Sequence, residues 1–155
     1  MELKLRDIND GFAREVIGIK LWRELNNSTI ESIAAALSTI GVLVFRRQSL
    51  SEDEMVDFTS KFGQIEIIVR SDWASNTRPD VTHLSNLKDA QGRQIGRPGT
   101  GELEWHSDQS YKAEPATGTL LYSVEVPTKG GSTYFANLHL AYQSLPKRLK
   151  RKIEG

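Results

Sequence analysis

Apolar and polar residues alternate through Leu3-Lys4-Leu5-Arg6-Asp7-Ile8 and again through part of 15–21, EVIGIKL. This is the two-residue period of a strand with one covered face. An Asn-Asp-Gly turn at 9–11 separates the two runs. The period then changes. Ile30, Ile33, Ala34 and Leu37 recur at helical spacing and predict a helix over about 29–38, capped by Asn27 or Ser28 and stopped at Gly41. GVLVFRR (41–47) is a β-rich run suited to a buried strand. Ser51 and Glu54 stand at the spacing of a capping box and predict a helix over about 52–61, with Met55, Phe58 and Phe62 on its buried stripe and Gly63 at its end.

From about 70 to 80 the chain is loop-like, and VTHLSNL (81–87) predicts a further strand. The stretch 88–101, KDAQGRQIGRPGTG, is rich in glycine and charge and has no periodicity. It reads as a mobile loop, either an active-site lid or an ordinary hairpin tip. GTLLYSVEV (118–126) and STYFA (132–136) read as strands joined by a Pro-Thr-Lys-Gly-Gly turn. Asn137 is placed to cap a helix over about 138–144, and Pro146 to open a last one. Helices first and turn-linked strands later favour an α+β, antiparallel or jelly-roll architecture over a parallel βαβ sheet.

Composition narrows the partners. Twenty basic and twenty acidic side chains cancel over 155 residues, so no general field points to nucleic acid or an anionic membrane, and a small molecule is the easier default. The local basic run Lys147, Arg148, Lys150, Arg151, Lys152 shares a predicted helix with Leu145, Leu149 and Ile153 and reads as a solvated helix surface. The absence of cysteine removes disulfide scaffolds, zinc-thiolate sites and cysteine nucleophiles. No apolar run approaches the length of a membrane span, and the charged N-terminus lacks a signal-like stretch, so the expected location is the cytoplasm.

The candidate chemistry sits at Trp105-His106-Ser107-Asp108. If this tetrapeptide is a strand, His106 and Asp108 share a face and offer an imidazole nitrogen and a carboxylate to one ion. These are two of the three ligands of a 2-His-1-carboxylate site for Fe(II). The plainer alternative makes His106 a polar residue on a strand edge and Asp108 the opening of a turn. Trp105, pointing the other way, is expected in the core.

From Gly101 onward the sequence resembles the first half of the catalytic core of the taurine dioxygenase (TauD/TfdA-like) family. The landmarks run W-H-S-D at 105–108, Pro115 before the apolar run 119–124, P-T-K-G-G-S-T at 127–133 and A-Y-Q-S-L-P at 141–146. GVLVFRRQSLSEDEMVDFTSKFGQIE (41–66) also looks like the family's strand-helix-glycine element. The resemblance implies a double-stranded β-helix (jelly-roll, cupin-like) core with flanking helices, incomplete here. It implies an Fe(II)- and 2-oxoglutarate-dependent dioxygenase that hydroxylates a small organic substrate with dioxygen, releasing succinate and CO2.

On that reading His106 and Asp108 bind the metal, the Thr133 hydroxyl binds a carboxylate of 2-oxoglutarate, and His83 and Asn86 contribute to the substrate pocket. On residue chemistry alone Thr133 is simply a good strand former. His139 is expected to be a surface or capping residue. The second metal histidine and the 2-oxoglutarate arginine of the family lie further downstream. Residues 1–155 are therefore expected to be the N-terminal part of one domain, truncated before the distal histidine, inactive alone and prone to self-association through open strand edges. Two rivals stay open: a non-catalytic binding or assembly module, and a cupin-like metal enzyme that uses no 2-oxoglutarate and completes its site with His83.

Overall fold

The computed structural model describes residues 2–8, 12–67, 74–98 and 104–154. The expected turn at 9–11, part of the 70–80 loop and the 99–101 end of the glycine-rich stretch lie outside these residues. The described elements mix helix and strand. They run β1 (Leu5–Asp7), β2 (Ala13–Val16), α1 (Asn27–Ile40), β3 (Val42–Val44), α2 (Glu52–Ser60), β4 (Leu84–Ser85), β5 (Arg97–Pro98), α3 (Leu138–Ser144) and α4 (Lys147–Ile153).

The first sheet has the order β1-β2-β3. β1 runs antiparallel to β2, with Leu5 opposite Val16, and β2 runs parallel to β3, with Ala13 opposite Val42. The expected antiparallel preference therefore fails for the second pair. A parallel pair needs a long crossover, and α1 lies between β2 and β3 and supplies it.

Caps set the helices. The Asn26 side chain accepts from the Thr29 N–H at 2.9 Å, so α1 begins before either expected cap. Gly41, at φ 91°, ends it by donating to the Leu37 carbonyl at 2.8 Å. α2 has the expected capping box, in which the Ser51 hydroxyl accepts from the Glu54 N–H at 3.2 Å and Glu54 accepts from the Ser51 N–H at 2.7 Å.

Leu21, Ile33 and Phe58 form the centre of the core, with Leu3, Ile19, Ile30, Leu43, Phe45, Phe62 and Leu120 against it. Phe58 meets Phe45 and Phe62 edge-on, at centroid distances of 6.0 and 5.1 Å. Ile33 keeps 2% of its surface, and covering a side chain of this size contributes about 1.5–3 kcal/mol. On the sheet, the buried Glu15 carboxylate is bonded by Arg6 and lies 3.4 Å from Arg46. The Arg6 hydrogen bond leads in holding its pKa below the usual value, against the opposing effect of burial.

Two strand expectations do not hold. Residues 118–126 and 132–136 have strand-forming sequences but no strand, and Leu121, Val124, Val126, Tyr134 and Phe135 are exposed. A strand exists only as part of a ladder, because its N–H and C=O groups need a neighbour, and among the described residues no strand pairs with them. The 81–87 strand shrinks to β4, which pairs in parallel with β5. Beyond it, Lys88 bridges Gln94, and the Ile95 and Asp89 N–H groups bond the Leu87 and Arg93 carbonyls. The described part of the glycine-rich stretch is thus a hairpin tip.

Candidate metal centre

Neither His106 nor Asp108 is in the expected strand: Asp108 opens a turn, as the plainer alternative had it, and His106 stands just before it. Gln109, at φ 55°, bends the chain immediately after them, and its carbonyl accepts from the Lys112 N–H at 2.9 Å. The turn still brings the two side chains together, with His106 Nε2 3.4 Å from Asp108 Oδ1. His106 Nδ1 is 2.7 Å from the Glu104 carbonyl. A carbonyl only accepts, so Nδ1 carries the hydrogen there, and Nε2 is the ring nitrogen that faces the carboxylate.

With its hydrogen on Nδ1, a metal-binding His106 would offer the Nε2 lone pair beside the Asp108 carboxylate, a donor pair that suits a cation. Neighbouring donors on an ion with bonds near 2.1 Å stand about 3 Å apart, close to the spacing seen here. Both side chains are more than half exposed, which leaves the position open to small molecules. The donor set, one imidazole nitrogen and one carboxylate oxygen, fits a divalent first-row metal.

Asp108 is supported from a distance. Its Oδ2 accepts from the Thr119 hydroxyl at 3.2 Å. Thr119 belongs to a stretch seated on the helical layer. A Cβ on Gly118 would lie 3.6 Å from Leu37, Leu120 packs against the core, and the Tyr122 hydroxyl accepts from the Leu50 N–H at 3.2 Å. Nothing in the sequence pattern marks Thr119, which reads as one more residue of an apolar run.

The other expected site residues lie apart. His83 Nε2 is 2.6 Å from Glu52 Oε1, and the second oxygen of Glu52 accepts from Ser75 and Thr77, each at 2.7 Å. Burial raises the Glu52 pKa, but the hydrogen bonds from Ser75, Thr77 and His83 outweigh it and hold the carboxyl below its usual value. Such a group adds stability above its unfolded pKa, and that stability is lost as pH falls through the lower folded one. Next to it, Arg78 joins Asp53 and Asp80, each at 2.8 Å. This polar junction was missed in the sequence, where Glu52 signals only a helix start.

Asn86 is exposed beyond β4. Thr133 is exposed after Gly130 and Gly131, whose positive φ angles close the expected turn, and a Cβ on Gly131 would come 2.8 Å from Pro127. His139 is exposed on α3 beside Gln143, the surface role expected of it. Trp105 is 71% exposed rather than in the core, because the turn gives it no covering layer. Among the described residues no three His, Asp or Glu side chains form a metal cluster, so neither His83 nor His139 joins the pair. A concavity of about 570 Å³ between Phe12, residues 38–42 and residues 135–139 excludes His106 and Asp108.

Comparison with known proteins adds an independent line. Residues 4–155 match the model of the family described as taurine catabolism dioxygenase TauD, TfdA. The chain is 33% identical over 153 residues to the alpha-ketoglutarate-dependent 2,4-dichlorophenoxyacetate dioxygenase of Cupriavidus pinatubonensis, covering 93% of this chain and 53% of that protein. It is 30% identical over 142 residues to pentalenolactone F synthase of Streptomyces avermitilis, covering 90% and 46%.

Among solved structures, AAD-2 in complex with Mn(II) and N-oxalylglycine superposes with a TM-score of 0.79 at 25% identity, covering 99% of this chain and 56% of that one. A taurine dioxygenase from Burkholderia xenovorans gives 0.78 at 27% identity, covering 100% and 52%. The chain spans about half the length of the relatives it matches.

Proposed function

We propose, from the premise that this chain belongs to the taurine catabolism dioxygenase TauD, TfdA family, that it is the N-terminal part of an Fe(II)- and 2-oxoglutarate-dependent dioxygenase. The whole protein hydroxylates a small organic substrate with dioxygen, releases succinate and CO2, and works in the cytoplasm. Residues 1–155 form part of a single domain whose complete core is a double-stranded β-helix. They are inactive alone and associate through open edges. No helix of the described residues is long and apolar enough to cross a membrane.

The observation that carries this reading is the approach of His106 Nε2 to Asp108 Oδ1 at 3.4 Å, with Nδ1 already engaged by the Glu104 carbonyl. In this role His106 and Asp108 hold Fe(II), together with a histidine from beyond this chain. When bound, Fe(II) supplies the oxidising chemistry that couples decarboxylation of 2-oxoglutarate to hydroxylation. The Glu104 carbonyl fixes the His106 ring and its tautomer. Thr133 donates its hydroxyl to a carboxylate of 2-oxoglutarate. His83 and Asn86 stand on the substrate side, His83 oriented by Glu52.

The test is Fe(II)-dependent succinate formation by the natural protein. His106→Ala and Asp108→Ala should each abolish it and leave the melting temperature nearly unchanged, since both side chains are exposed and outside the core. Normal succinate formation by either variant would refute the metal assignment.

A further inference from the structure

The two carboxylate oxygens of Asp108 have different neighbours. Oδ1 faces His106 Nε2, and Oδ2 takes the Thr119 hydroxyl hydrogen. Thr119 is flanked by Gly118, which lies against Leu37 of α1, and by Leu120, which packs on the Leu21, Ile33 and Phe58 centre. Three residues further on, the Tyr122 hydroxyl is fastened to the Leu50 N–H, one residue before the α2 cap. A fixed stretch of backbone therefore reaches an otherwise exposed turn through the Thr119 hydroxyl.

We propose that Thr119 is a positioning residue for the metal site: by occupying Oδ2 it presents Asp108 to the ion through Oδ1 alone, on the side where His106 Nε2 stands. This deepens the dioxygenase reading and rests on it. The physical reason is competition for lone pairs. A free carboxylate rotates about its Cβ–Cγ bond and can offer both oxygens to one cation, whereas a hydroxyl on Oδ2 withdraws one of them and fixes the plane of the other. His106 gets the equivalent support locally, from the Glu104 carbonyl two residues away. Asp108 gets it only through the fold. Partners of metal ligands typically change metal affinity by about 10–100-fold when removed.

The experiment is Mn(II) titration of the natural protein, followed by calorimetry and by the Mn(II) electron paramagnetic resonance spectrum, for the parent, Thr119→Val and Thr119→Ser. Valine keeps the shape of threonine and removes its hydroxyl, while serine keeps the hydroxyl. Thr119→Val should bind Mn(II) about 10-fold more weakly, with an altered spectrum and an unchanged melting temperature, and Thr119→Ser should recover the parent affinity and spectrum. Parent-like affinity and spectrum in Thr119→Val would overturn the positioning role and leave the dioxygenase reading standing. Equal weakening in Thr119→Val and Thr119→Ser would also overturn it, because the hydroxyl would then not be what matters. A parent that binds no Mn(II) would overturn both.

Discussion

Val42 and Val44 stand in a ladder with β2 and are partly covered, whereas Val124 and Val126, in a run with equally good strand-forming sequence, are 86% and 69% exposed. The first pair belongs to a layer that contains its own partners. β1, β2, β3, α1 and α2 all lie before residue 61, and they and the segments that join and flank them, up to Phe62, supply all of the core cluster except Leu120. The second pair belongs to the region that carries the candidate chemistry, and among the described residues that region touches the layer at Gly118, Leu120 and Tyr122. Strand propensity thus measures fit to a pleated, half-buried surface, and it becomes structure only where that surface exists.

Three substitutions in the 155-residue chain test this contrast, each read as a shift in the urea unfolding midpoint. Ile33→Ala should have the largest effect, a loss of about 2–5 kcal/mol, because it empties the centre of the layer. A variant as stable as the parent would show that the layer is not what holds the chain together. Ser51→Ala should follow, at about 1 kcal/mol, through loss of the hydroxyl that accepts from the Glu54 N–H. Val124→Ser should be the smallest, within about 0.5 kcal/mol. A cost well above that would mean that the 118–126 run is covered after all.

Where structure depends on neighbours in sequence, it was readable. The Ser51–Glu54 box, the Gly41 stop and the Asn137 cap of α3 all appear as expected, because each is a contact between residues four or fewer apart. The α1 start was displaced to Asn26, since several adjacent residues offered a suitable side chain. Pairing over longer range was less readable. The β2–β3 direction was missed, and the strands at 118–126 and 132–136 were expected from composition that says nothing about a partner.

The site divides the same way. The His106–Asp108 spacing pointed to a shared ion, and the side chains do approach, though through a turn. The Thr119 bond to Asp108 and the Glu52 junction with Ser75, Thr77 and His83 join residues 11 to 31 positions apart, and no local signal announces them.

The self-contained layer also orders events during synthesis. At about 5–20 residues per second, the 45 residues between the end of α2 at Ser60 and His106 take roughly two to nine seconds to emerge, while small domains fold within microseconds to seconds. The nascent chain can therefore have most of its platform built before the ligand-bearing turn exists. Leu120 and Tyr122 then arrive as late pegs into a nearly finished surface, and the turn ahead of them is set in place from its C-terminal side.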